Sequence, residues 1–240
     1  MTTEIDVLLH KLASIGTLTA EQQAEIRRLP VQRKTLERGE DAVMEGLIMH
    51  YSCIVLSGML ARHKTLRDGS RQILSFHPAG DIPDLQSLHL RKVDYTLSAT
   101  TPTVIGIVQH ADIHALLKKH YDLTGLFWRD TLIDSARFLT WMTMIGQASA
   151  ETRMAHLFCE IFVRTRATGG ADGRSFRFPV TQGELADALG ISVVHANRTL
   201  QHLRSESLLA FGNGVAEILD WDGLSSLAQF DGNYLHISDI

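Results

Sequence analysis

Val193, Val194, His195, Asn197 and Arg198 follow Ser192 closely enough to share the start of one helix. If Ser192 caps that helix and it runs to about Ser205, these side chains are its N-terminal outward group, over inward Ala196, Leu200 and Leu203. Their types suit the edges of DNA bases. A guanidinium such as Arg198 can donate twice to guanine O6 and N7. The Asn197 carboxamide can pair with adenine, and a valine can touch a thymine methyl. His195 can meet a base or a phosphate, and one of the two valines can instead pack inward. Thr181 and Gln182 open an earlier helix, whose free N–H groups favour backbone phosphate.

The surrounding residues would hold this group in place. Thr181-Gln182-Gly183-Glu184 has the capping-box form. Leu185, Ala186 and Leu189 make an apolar stripe, with Ala186 small where a second helix would cross. Gly190 allows a sharp turn and Ile191 plugs it. Two short helices in this arrangement make a helix-turn-helix. Downstream, Leu208–Phe211 and Val215–Leu219 read as strands joined by Gly212-Asn213-Gly214, a hairpin placed as a wing.

Other chemistry finds less footing. The twelve histidines include no metal-ligand pair of the HExxH type, and His110 and His114 straddle an expected strand-to-helix junction. Cys53 and Cys159 form no CxxC pair, which fits two buried thiols; a redox role for Cys159 is the alternative. There are too few cysteines for a conventional iron–sulfur cluster. No nucleophile elbow or phosphate-cradling glycine loop is present. The expectation is therefore no enzyme, no metal and no cofactor.

Composition is that of a globular protein, with 45% hydrophobic and 21% charged residues in 240. No run approaches the ~18 apolar residues of a membrane span. Met1 to His10 carries Glu4 and Asp6 and does not read as a signal peptide. A cytoplasmic protein is expected. The net charge of −4 argues mildly against nucleic acid. However, residues 151–215 hold seven arginines, whereas 216–240 hold five acids and no Lys or Arg. DNA binding here should be modest and salt-sensitive.

Upstream, residues 17–29 read as a short helix capped by Thr19 and ended by Pro30. Short apolar runs then follow at Cys53–Leu56, Met59–Ala61, Ile73–Phe76 and Val104–Val108, punctuated by Gly39, Gly46, Gly58, Gly69 and Gly80. Arg67-Asp68-Gly69-Ser70 is a hairpin turn. This spacing predicts an antiparallel β-roll. Asp112 can open a short helix through Lys119. A long helix follows over about Leu123–Ile145, with Leu132, Ser135, Leu139, Met142 and Ile145 at helical spacing, and Phe127, Trp128, Phe138 and Trp141 adding apolar surface. So apolar a helix buries more than one face, either in its own core or as a dimer seam. Residues 150–168 predict another amphipathic helix with Met154, Leu157, Phe158, Ile161 and Phe162 inward, and Gly169–Gly173 a loop.

The chain resembles the Crp/Fnr family of regulators. In the C-terminal half the resemblance rests on Ser149–Arg153, Pro179–Gly190 and Asn197–Leu200, and in the N-terminal half on Val55–Gly58, Asp68–Leu74 and Pro78–Asp81. It implies an α+β fold: an N-terminal antiparallel β-roll related to cyclic-nucleotide-binding domains, a long dimerisation helix, and a C-terminal winged helix-turn-helix. The divisions expected are 1–110 (N-terminal helix and roll), 111–147 (connecting helix) and 148–240 (DNA-binding domain). Implied partners are a double-stranded DNA operator of inverted-repeat form, a second copy of the chain, RNA polymerase and an effector of unknown identity, with no membrane.

Two departures matter. Cyclic-nucleotide binders of the family carry Gly-Glu, then an Arg-Ser or Arg-Thr pair about ten residues on, for ribose and phosphate. Here Gly80-Asp81 stands at the first place and Val93-Asp94 near the second. Control by cyclic AMP is not expected, and Gly80, Asp81, Arg91 and Lys92 remain as a weak effector pocket. The cysteine cluster of oxygen-sensing members is absent. Relatives often have an acid near Val194, so a different operator is expected. The alternative reading is a small-molecule-binding module whose winged domain contacts protein rather than DNA.

Overall fold

The computed structural model describes residues 5–90 and 92–237. Two helices come first. Helix α1 (Asp6–Ile15) is not expected from the sequence; Leu8, Leu9, Leu12 and Ile15 form its buried stripe. Helix α2 (Ala20–Arg27) has the anticipated Thr19 cap, completed by Gln22 into a reciprocal capping box.

The β-roll contains β1 (Gln32–Leu36), β2 (Asp41–Val43), β3 (Tyr51–Ser57), β4 (Met59–Thr65), β5 (Arg71–Pro78), β6 (Thr96–Ala99) and β7 (Thr103–Gln109). One antiparallel sheet has the order β1-β7-β3 and the other β2-β6-β4-β5. Strands β3, β4, β5 and β7 lie where apolar runs place them. Strands β1, β2 and β6 escape that reading, because β1 is exposed at four of its five positions and the other two are short. Asp68-Gly69 turns β4 into β5, with the Leu66 N–H donating to Ser70 O at 2.8 Å. Leu36, Cys53, Val55, Leu60, Leu97 and Ile105 fill the core between the sheets.

Helix α3 (His110–Lys119) begins two residues before Asp112, which sits in its first turn rather than at its cap. His110 and His114 therefore share one helix, a correction to the expected junction. Helix α4 (Tyr121–Gln147) spans 27 residues. It buries Leu123, Leu126, Phe127, Ile133 and Trp141 against the chain's own core. The complementary stripe is bare: Trp128, Leu132, Leu139 and Met142 are 66, 56, 61 and 68% exposed.

Helix α5 (Ala150–Ala167), capped by Ser149, buries all five residues expected inward. The expected loop at 169–173 contains β8 (Ala171–Asp172), paired with β9 (Ser175–Arg177). Then come α6 (Gln182–Leu189), α7 (Val193–Ser205), β10 (Leu209–Gly212), β11 (Val215–Ile218) and α8 (Trp221–Leu227). The wing belongs to a four-stranded sheet, β10-β11-β9-β8. One apolar cluster joins roll residues Met59, Ala61, Ile73 and Phe76 to α5, α6 and α7, so the two halves share packing. Among the described residues no helix is long and apolar enough to cross a membrane.

Candidate nucleic-acid interface

Three local devices shape the helix-turn-helix. At the start of α6, the Glu184 N–H donates to Thr181 Oγ1 at 3.1 Å, and the Thr181 N–H returns a bond to Glu184 Oε2 at 2.6 Å. At its end, Gly190 adopts φ +64°, a left-handed conformation that favours glycine and redirects the chain. The Ile191 N–H then closes on Ala186 O at 3.1 Å. Ser192 Oγ accepts the His195 N–H at 3.2 Å and so starts α7. Ala186 is 2% exposed and Ala196 1%, as the close crossing of α6 and α7 requires.

The outward group is largely as expected. Ser192, Val193, Val194, His195 and Arg198 are exposed, as are Thr181 and Gln182 at the N-terminus of α6. Neither valine packs inward; they are 47 and 67% exposed. Asn197 differs. It is half-buried, and its Oδ1 is buried without a hydrogen-bond partner among the described residues. It sits on the flank of α7, one residue from the turn that buries Ala196, and not squarely outward. Gln201 extends the outward row: it is exposed, three residues past Arg198 and seven past Val194. The helical spacing was sufficient to find it.

The wing turn is Asn213-Gly214, with Gly212 already paired to Val215 in the ladder. Both turn residues have positive φ, 52° and 73°, the combination that a two-residue type I′ hairpin demands. Arg177 on β9 pairs in register with Val215, which puts an exposed cation beside the wing. The end of α7 is tied to the wing through the Arg204 guanidinium, which donates to Phe211 O.

Of the residues expected near an effector, the described ones, Gly80, Asp81 and Lys92, do not line one cavity. Arg91 lies outside the described residues, and Lys92 is exposed and does not border the cavity that Asp81 lines. Gly80 packs so closely that a Cβ would meet Val7 O at 2.9 Å and Lys11 Cβ at 3.0 Å. Asp81 is buried and committed. It accepts from the Arg164 guanidinium and from His77 Nδ1 at 2.9 Å. Burial would raise its carboxyl, but Arg164 and the His77 hydrogen bond hold it well below the usual carboxylate range. The cavity beside it is about 50 Å³, room for a few waters. The interior facing α4 is taken by Arg62, which is 1% exposed and donates to Asp134 and to Pro83 O. A larger cavity of about 430 Å³ lies between β5, α4 and α5, walled by Ile73, Phe76, Phe138, Trp141 and Met142. It offers no cation for a phosphate. Burial pushes the Cys159 thiol up to about 12, so it stays protonated and poorly nucleophilic.

Two family models match the chain: the Crp-like helix-turn-helix domain over residues 152–227, and the cyclic nucleotide-binding domain over residues 33–120. The chain belongs to the Crp/Fnr family of transcription regulators. This Crp/Fnr regulator is similar to the transcriptional activator protein FnrL of Cereibacter sphaeroides, 23% identical over 86% of this chain and 87% of the relative. It is also similar to the nitrogen fixation regulation protein FixK of Rhizobium meliloti, 26% identical over 81% of this chain and 86% of the relative. Among solved structures, FixK2 from Bradyrhizobium japonicum shares the fold with a TM-score of 0.75, at 22% identity over 83% of this chain and 98% of that one. The α+β architecture expected for a Crp/Fnr regulator is the one observed.

Proposed function

We propose that this regulator binds an inverted-repeat DNA operator as a homodimer, with α7 in the major groove. The observation that carries the reading is the exposed row Val193, Val194, His195 and Arg198 on a helix whose opposite side is locked by Ala196, Leu200 and Leu203. Arg198 and Gln201 lie where base edges would be, while Thr181, Gln182 and Ser192 lie where phosphates would be. Asn197 sits on the flank with its Oδ1 buried, so it could reach a base only after a side-chain rotation. The bare apolar stripe of α4 supports dimerisation, since exposed leucines in a row on a monomer are unfavourable. Two-fold symmetry would set the recognition helices about 34 Å apart, one turn of DNA.

RNA polymerase is a further partner on this reading, supported by the relative FnrL being a transcriptional activator. The reading implies a cytoplasmic location, where DNA is accessible. The effector pocket around Gly80, Asp81, Arg91 and Lys92 draws no support from the geometry, and control by cyclic AMP is not part of the proposal. In vitro selection from a random duplex pool tests the whole. Enrichment of inverted repeats with half-sites one turn apart is expected; no enrichment, or asymmetric sites alone, refutes it.

A further inference from the structure

Helix α6 carries two acids, Glu184 and Asp187, and no Lys or Arg. From Thr181 to Ser205 two acids offset Arg198 and Arg204, so the helix-turn-helix has no formal net charge. That is a poor starting point for a surface that must approach phosphates. Glu184 is the more awkward of the two, since it sits in the first turn of α6, next to the Thr181 and Gln182 N–H groups.

The β-roll meets both acids. Arg38, in the turn between β1 and β2, places Nη2 2.6 Å from Glu184 Oε2. Arg71, at the start of β5, bonds Asp187 Oδ2 at 2.8 Å through both Nε and Nη2. Between them, Gln72 Nε2 donates to Ala188 O at 3.1 Å, which seats α6 on the hairpin strand. Every acid of α6 is thus paired with an arginine from the other half of the chain. None of these contacts covers α7, whose recognition row stays exposed. The docking does not block the DNA face; it changes the charge behind it.

Resting on the DNA-binding reading, we infer that the roll acts as a charge mask for the helix-turn-helix, and that the docked arrangement is the DNA-competent one. With Arg38 and Arg71 in place the segment presents two net positive charges. With the roll displaced, two carboxylates face the phosphate backbone within a Debye length of about 10 Å at 0.1 M salt. The arginine side chains are 43 and 37% accessible, so the two ion pairs themselves contribute little to holding the halves together. A signal that shifts the roll on α6 would change DNA affinity without touching the recognition helix.

The test uses the full chain and a labelled duplex of mixed sequence, because non-specific binding reports charge most directly. Arg38→Ala and Arg71→Ala should each bind roughly 3- to 10-fold more weakly near 0.1 M salt, with the deficit shrinking as salt rises. Glu184→Gln and Asp187→Asn should bind as tightly as the parent or more tightly. Glutamine at the third helical position keeps the capping box, so Glu184→Gln removes charge without uncapping α6. Arg38→Ala combined with Glu184→Gln should return to parental affinity. Unchanged affinity in both arginine variants overturns the mask. So does a loss in Glu184→Gln equal to that in Arg38→Ala, which would mark a purely mechanical latch. If the parent chain binds no duplex at any salt, the DNA-binding reading itself falls, a result distinct from either.

Discussion

Arg62 on β4 reaches through the roll to Asp134 on α4, its Nη1 2.7 Å from the carboxylate. The guanidinium carbon lies 4.6 Å from the centre of the Tyr95 ring and 5.1 Å from that of Phe138. Burial alone would raise the Asp134 carboxyl; Arg62 and Arg137 beside it hold it well below the usual carboxylate range. This pair fastens the long helix to the roll from inside.

Asp134→Ala leaves the Arg62 guanidinium buried without its carboxylate and should destabilise the chain by about 3–5 kcal/mol in urea unfolding. Arg62→Ala should cost less, because Asp134 is part-exposed and keeps Arg137 at 2.9 Å. Combining Arg62→Ala with Asp134→Ala should cost well under the sum of the two, with a coupling of about 1 kcal/mol or more. Strict additivity would show that the two charges do not depend on each other.

Stability should fall on acidification in two stages. His77 is buried and neutral, donating from Nδ1 to Asp81 and accepting the Ser75 hydroxyl at Nε2, 2.7 Å away. Burial lowers it to about 4. A depressed histidine contributes fully above its unfolded value near 6.5, and loses that contribution as pH falls toward 4, on the order of 3 kcal/mol. Asp81, Asp134 and Glu160 are also depressed in the fold: burial would raise each, and neighbouring arginines outweigh it. Their contribution is present above the unfolded carboxylate value near 4 and drains away below it. Denaturation midpoints measured from pH 8 to pH 3 should show both stages; a flat profile between 7 and 4 would remove His77 from the account.

Arg198 offers the sharpest test of the recognition face. If it pairs with guanine, Arg198→Ala should cost roughly 1–3 kcal/mol per half-site and relax preference at one symmetric position. A phosphate contact would instead weaken all sequences alike and reduce the salt slope by about one per half-site. Binding across a library of single-base operator variants separates these. No change in affinity, specificity or salt dependence would mean that α7 docks on another face.

The α4 stripe should hold the dimer. Leu139 is 61% exposed within one chain, so Leu139→Asp should leave monomer stability within about 0.5 kcal/mol. Sedimentation should shift from dimer to monomer at micromolar protein, and operator affinity should drop with it. A variant that remains dimeric would move the seam elsewhere.

Cyclic AMP should give no saturable heat in calorimetry at about 1 mM ligand, where even a millimolar Kd would be visible. Asp81 is occupied by Arg164 and His77, and Arg62 fills the space against α4. Tight binding that also raised DNA affinity would require both groups to move.

Much of this molecule was written locally. Capping residues act over three positions, Gly190 and Asn213-Gly214 over one or two, and apolar periodicity over a turn or two, so the helix-turn-helix, its wing turn and the central strands could be read off the chain. The same physics explains what stayed hidden. Strand β1 is an exposed polar edge, stabilised by pairing with β7 from Gln32↔Ile107 to Leu36↔Thr103, and it carries no apolar alternation of its own. Helix α1 is not anticipated from the sequence, although its stripe of leucines is ordinary helical spacing. The charged interior is beyond any local pattern. Arg62 and Asp134 are 72 positions apart, Arg71 and Asp187 116, and Arg38 and Glu184 146. An arginine reads as surface by default, because burying its charge is costly unless a partner waits inside. Sequence alone determined which residues could face DNA; only the tertiary structure decided that the roll would be closed by its own arginine and would supply the cations opposite Glu184 and Asp187, since electrostatic partners are chosen by distance in space and not along the chain.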